Sequence, residues 1–313
     1  MYRDHRENAG LLWRVEPICK VLTEEYGVKV SPSGYYAYKS RRPSCREEND
    51  ERLKARILKI WEDNYSCWGA EKVWRALLKE GEMVARCTVE RLMRGLCIKG
   101  LVRGKAKRTT IAGTDAKDAE DLVRRNFFAV SPNRIWVADF TYVSTWEGWC
   151  YTALVTDVFA RRIVGWAVSS RMNGKLVTGA FKMAVWTRYR EGRDDLTDLI
   201  HHNDKGKQYT AEGFFELLAL HGIRASIGTV GDSYDNALAE TMFGGYKCTL
   251  IHNPIKGPWK NREQLEVETA RWVHWHNTAN ITEYNNWKTP LEVEELLYTT
   301  GEDGRKCPLK GKA

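Results

Sequence analysis

No stretch of the 313 residues approaches eighteen consecutive apolar positions, which excludes a helix that spans a bilayer. The opening MYRDHRENAG has no apolar core of the signal-peptide kind, so secretion is not expected. Eight cysteines stand at 19, 45, 67, 87, 97, 150, 248 and 307 without a single CxxC. That pattern excludes a zinc ribbon and predicts reduced cytosolic thiols rather than a disulfide frame. Histidine is scarce: of seven, only His5 lies in residues 1–130, so an amino-terminal site of two His and two Cys is absent. There is no glycine-rich phosphate loop of Walker type, and no GxSxG or Cys/His dyad that would suggest acyl transfer. Internal repeats, low-complexity segments and sustained heptads are also lacking, the last excluding a long coiled coil.

What remains is a globular composition. Hydrophobic residues make up 43% and charged residues 29%, and 13 Trp with 14 Tyr supply bulk for a core. The length predicts two domains, with room for a small third. The net charge of +8 is unevenly spread. Residues 1–130 hold 27 Lys+Arg and 19 Asp+Glu, a balance of +8, while the rest hold 22 of each. Within 65–110 there are 11 basic and 4 acidic residues. A polyanion is the natural partner of such a segment, because Lys and Arg release counterions condensed on phosphates.

The basic segment has a fold to go with its charge. Val15, Ile18, Cys19 and Leu22 mark a first short helix, SPSGYY and RRPS read as turns, and Leu53, Ile57, Ile60 and Trp61 mark a second helix. A helix over about 70–80 then buries Val73, Trp74 and Leu77, Gly81 breaks it, and a helix over about 85–95 buries Val89, Leu92 and Met93. Helix, glycine turn, helix is the outline of a helix-turn-helix. Its second helix exposes Arg86, Arg91 and Arg94, with Lys99 and Arg103 following, and these five are the candidate DNA contacts. The organisation expected is a helical region over 1–64, a helix-turn-helix over 65–110, a linker over 111–130, a catalytic domain over 131–300 and a tail over 301–313.

From residue 134 the pattern is that of strands. RIWVADFTYVST, WCYTALVTDVFA and RRIVGWAVSS are rich in β-branched and aromatic residues and separated by short turns, which predicts an antiparallel meander. Helix, short strand, helix and short strand follow to Ile227, then a loop and a long helix from Asp235. The fold class is α/β, a mixed sheet with flanking helices, preceded by an all-α region.

Three carboxylates draw attention. Asp139 interrupts an apolar strand, and an unpaired carboxylate there is costly without a partner or a metal. Asp204 closes the short strand of LIHHNDKGKQYT, where ligands gather at the carboxyl ends of α/β strands. Glu240 lies on the helix of YDNALAETMFGGYK, sharing a face with Asn236 and Lys247. Converging, the three would suit hard divalent cations, Mg²⁺ or Mn²⁺, held as a pair for in-line phosphoryl displacement.

The chain resembles the DDE transposases and retroviral-type integrases, whose catalytic domain is RNase H-like. It is similar in particular to the second-frame product of insertion-sequence transposases of the IS-three group. The motifs run in order as WVADFTYV from Trp136, DVFARRIVGW from Asp157, HHNDKGKQYT from His201 and GDSYDNALAET from Gly231. VEPICKVL and SPSGYYAYKSR resemble the start of that product. The resemblance implies that Asp139, Asp204 and Glu240 are the catalytic metal ligands and that Lys247 touches DNA. Gln208, Tyr209, Tyr234 and Asn236 match motif positions near the site. Asp157 is either a substitute for Asp139 or a brace pairing with Arg161 or Arg162. The activity implied is cleavage and strand transfer at the ends of an insertion sequence, by a homo-oligomer on double-stranded DNA in the bacterial cytoplasm. A first-frame product is a further candidate partner; a metal-dependent nuclease of RNase H type, a non-catalytic DNA-binding regulator and a degenerate transposase are the alternatives. His274-x-His276 does not make a metal pair, since residues two apart on a helix face apart, and Trp259, Trp272 and Trp275 are read as packing groups.

Overall fold

The computed structural model describes residues 14–102, 121–204, 212–228, 237–301 and 305. The chain divides into two compact units, Met1–Arg56 and Ile57–Ala313. In the first, α1 (Val15–Glu24) buries Cys19 and is followed by α2 (Pro32–Ser40). Helix α2 replaces the turn expected over SPSGYY. Its start explains why: the Ser31 hydroxyl accepts the Gly34 N–H at 3.0 Å, and Pro32 sits in the first turn, where a missing N–H costs nothing. Helix α3 (Cys45–Asp63) begins in the first unit and ends in the second, and Leu53, Ile57 and Ile60 along it are buried, the stripe its sequence predicts.

The second unit goes on with the predicted helical pair, α4 (Ala70–Lys79) and α5 (Arg86–Gly95), with Gly81 between them at φ 85°. Val73, Leu77, Val89, Leu92 and Met93 form their shared interior. Trp74 is half-buried rather than central: its indole N–H donates to the Val84 carbonyl at 2.7 Å, clipping the turn onto α4.

The sheet has five strands in the order β3-β2-β1-β4-β5. Strands β1 (Ile135–Thr145), β2 (Gly148–Asp157) and β3 (Arg162–Ser169) make the expected antiparallel meander. Strands β4 (Ile200–Asn203) and β5 (Arg224–Ile227) add to the other side of β1 in parallel. Helix α6 (Gly174–Arg190) leads from β3 to β4, and α7 (Glu212–Leu220) from β4 to β5. Alternation along β1 sends Trp136 and Ala138 to one face, where they pack with Phe181 and Ala184 of α6. Gly165 permits that approach, since a Cβ there would stand 2.2 Å from the Ala180 carbonyl oxygen. Val137 faces the other way, toward Leu238 and Ala239 of α8 (Ala237–Tyr246) and Val293 of α10 (Pro290–Thr300).

A π-helical turn, Lys247–Ile251, extends α8, and α9 (Arg262–Thr278) comes before α10. The α4–α5 pair is seated on this carboxyl-terminal part. Asn253 donates to the Tyr65 carbonyl at 2.7 Å, Trp275 to Asn64 at 2.9 Å, and Lys72 to Asn280 at 2.7 Å. Trp259, Trp272 and Trp275 are buried in that region, consistent with their reading as packing groups.

Candidate active site

Strand register brings the first two acids together. β1 pairs with β4 as far as Ala138 opposite Asn203. Asp139 is the next residue on β1 and Asp204 the first past the end of β4, just beyond the last pair of strands that run about 4.8 Å apart. Asp139 is an odd-numbered residue like Val137, so it points to the face that α8 covers, and Glu240 lies in the first turn of that helix. Lys247, the first residue of the π-helical turn, completes the group.

Electrostatics tie the four residues into one site. Burial pushes the Asp139 carboxyl well above the usual carboxylate range, and the negative charges of Asp204 and Glu240 push it further. The Phe140 N–H, donated to Asp139 Oδ1 at 2.7 Å, and the Lys247 ammonium pull the other way. Burial also raises the Glu240 carboxyl. Asp139 is half-buried, while Asp204 and Glu240 are exposed, so the site opens to solvent. Among the described residues no group of three or more His, Cys, Asp or Glu side chains, these acids included, is placed so that it could hold a metal ion. Converging carboxylates repel one another, and a divalent cation between them relieves that repulsion.

The other predicted residues fall in several places. Gln208, Tyr209, Tyr234, Asn236 and Arg103 lie outside the described residues. Arg91, Arg94 and Lys99 are exposed on α5 and just beyond it. Arg86 is exposed as well and pairs with Glu71 at 2.9 Å and Glu90 at 2.8 Å. Such solvent-facing pairs contribute about 0–1 kcal/mol, so a phosphate can displace them.

Asp157 is a brace, with a different partner from the pair expected. It is fully buried and accepts hydrogen bonds from the Asn133 and Phe159 N–H groups, the Trp136 indole and Arg188, the last at 2.8 Å. Arg161 instead lies over the Tyr284 ring, and Arg162 pairs with Glu191 and Glu294. Burial raises the Asp157 carboxyl, against the pull of Arg188. Glu294 of α10 holds Arg188 through both carboxylate oxygens, at 2.7 and 2.8 Å. Burial alone would raise the Glu294 carboxyl, but Arg188 and Arg162 hold it below the usual range. Sequence reasoning missed this network. Its one signal is Arg188 continuing the buried stripe Ala180, Ala184 on α6. His276 is structural, buried against Trp272 and bonded to the Arg161 carbonyl at 2.9 Å.

Comparison with known proteins adds a second line. Residues 129–233 match the integrase core domain, and residues 48–106 an HTH-like domain. Over 269 residues the chain is 51% identical to the transposase assigned to insertion sequence element IS986/IS6110 of Mycobacterium tuberculosis, covering 86% of this chain and 96% of that one. The chain belongs to the insertion-sequence transposases of the IS-three group. The transposase is also 42% identical over 296 residues to that of element IS629 from Shigella sonnei, across 91% of this chain and 97% of the relative. Among solved structures, the HTLV-2 integrase catalytic core domain in complex with magnesium aligns with 53% of the transposase and 98% of its own chain, at 16% identity and a TM-score of 0.40. With its integrase core and these relatives, the transposase is an enzyme of the polynucleotidyl transferase type. Asp139 and Asp204 fall inside the integrase-core match, and Glu240 seven residues past its end. No helix among the described residues is long and apolar enough to cross a membrane.

Proposed function

We propose that this transposase cleaves DNA at the ends of an insertion sequence and joins the freed ends to a new site, with Asp139, Asp204 and Glu240 as ligands of two Mg²⁺ or Mn²⁺ ions. The observation that carries the reading is geometric: the β1–β4 register ends at Ala138 opposite Asn203, which sets Asp139 beside Asp204, on the solvent-open face that α8 covers with Glu240 in its first turn. All the donors are hard oxygens, which fits Mg²⁺ and Mn²⁺ better than softer metals. Bound between them, such ions supply Lewis-acid stabilisation of the attacking and leaving oxygens and ease deprotonation of water.

The residues divide the remaining work. The Asp139 backbone is fixed by the sheet and Asp204 follows directly on β4, while Glu240 approaches from α8. Lys247 places a positive charge where a DNA phosphate passes. Arg91, Arg94 and Lys99, with Arg86 released from its acids, grip the duplex of the terminal repeats through α5. Two element ends must meet, so the working species is a homo-oligomer on DNA, and a first-frame product is a further partner.

The test is strand transfer by the purified full chain on labelled element ends, with and without Mg²⁺. Asp204→Asn abolishes both cleavage and joining while duplex binding persists. Cleavage without joining marks a nuclease instead, and activity retained in Asp204→Asn defeats the assignment.

A further inference from the structure

The β1–β2 hairpin leaves three aromatic side chains in solvent. Tyr142, Trp146 and Trp149 are 55%, 69% and 56% exposed. Single exposed aromatics are ordinary, but the arrangement here is not random. Tyr142 and Trp149 stand edge to face, with ring centroids 5.4 Å apart at 81°. The Lys247 ammonium lies 5.3 Å from the centre of the Tyr142 ring, and the same ammonium acts on the Asp139 carboxyl. Tyr142 follows Asp139 by three residues, roughly 10 Å along β1, and alternation turns it to the other face, so Lys247 is what links the aromatic pair to the acid.

The platform is also braced. The Trp146 N–H donates to the Trp259 carbonyl at 3.0 Å and the Glu147 N–H to that of Lys260 at 3.3 Å. The Thr145 hydroxyl closes the turn onto the Gly148 carbonyl at 2.7 Å. On the opposite edge β4 stops pairing at Ala138, so among the described residues no strand covers β1 beyond that point. The hairpin is therefore braced, aromatic and flanked by a cation that also reaches the acids.

We propose that Tyr142 and Trp149 stack an unpaired base of the DNA strand held at Asp139, with Lys247 against the adjoining phosphate. The proposal rests on the reading of the three acids as the phosphoryl-transfer site. A paired base keeps its faces inside the duplex, so only an unpaired one offers a ring to stack. A protein partner fits less well, because lysine is depleted at the centre of protein interfaces and Lys247 sits within this patch.

The test measures binding of two fluorescent duplexes of the same sequence, one blunt and one with a short single-stranded 3′ overhang, to the full chain in EDTA. Stacking on aromatic residues predicts that Trp149→Ala weakens overhang binding roughly 5- to 100-fold. Blunt-duplex affinity and melting temperature stay unchanged, and Trp149→Phe recovers most of the loss. Equal losses on both duplexes, or no loss on either, overturn the proposal. So does a change in sedimentation of Trp149→Ala without DNA, which would make the patch a protein interface. The two readings fail separately. Strand transfer by wild type with normal overhang binding by Trp149→Ala sinks only the stacking platform. Overhang binding that depends on Trp149 in a protein that never joins strands sinks only the acid assignment.

Discussion

Asp139 holds its proton more tightly in the folded chain than it would unfolded, because burial and two neighbouring acids oppose its charge. Its contribution to stability is therefore present at low pH and lost as pH rises through the raised value. Without metal, Asp139→Asn keeps the acceptor of the Phe140 N–H and removes the repulsion. The melting temperature should rise, by about 2–4 °C for each kcal/mol relieved, while the upward shift produced by Mg²⁺ disappears. Calorimetry with and without Mg²⁺ checks both halves; a variant less stable than wild type at neutral pH contradicts them. His201 runs the opposite way. It is fully buried between Phe181 and Phe214, and burial lowers its pKa from 6.5 to about 4. Its stabilisation is complete above pH 6.5 and drains as pH falls toward 4. His201→Phe should spare about 3 kcal/mol of that acid loss, read from urea melts across the interval.

At the scale of elements, α10 is tied to the sheet by charge as well as by Val293. Glu294 neutralises Arg188 and Arg162 inside the protein, and Arg188 in turn neutralises Asp157. Removing one member strands the others, so Glu294→Ala should cost about 3–5 kcal/mol by chemical denaturation. Glu294→Gln, which keeps a hydrogen-bond acceptor, should cost less. The meander and the helical pair were legible in the sequence because their apolar positions repeat at strand and helix periods. Helix α2 was not, since Ser, Pro and Gly read as a turn until Ser31 and Pro32 are seen as a helix start. Of the candidate site, Asp139 and Asp204 were legible as acids placed on and after apolar strands. The approach of Glu240 depends on α8 packing against the sheet, which no local pattern encodes. The true partner of Asp157 lies 31 residues away on α6 and arrives only by tertiary packing, so the nearer Arg161 and Arg162 misled.

Across the whole molecule, the basic excess belongs to residues 1–130 and the rest is neutral. Duplex binding should therefore weaken steeply with salt, through α5 more than through the sheet. Replacing Arg91 and Arg94 together by Ala should lower the slope of log affinity against log salt by roughly 2, near 0.9 for each phosphate left without its arginine. Fluorescence anisotropy over a salt series measures it, and an unchanged slope would place the duplex elsewhere.

The seat of the helical pair has a consequence for how the protein is made. Tyr65 and Asn64 are held by Asn253 and Trp275, some two hundred residues downstream. While the ribosome is still translating the sheet, the helical pair lacks its floor, and its docked form arises only once the nascent chain has emerged past Trp275. A message cut short before that point yields a helical pair without its anchor.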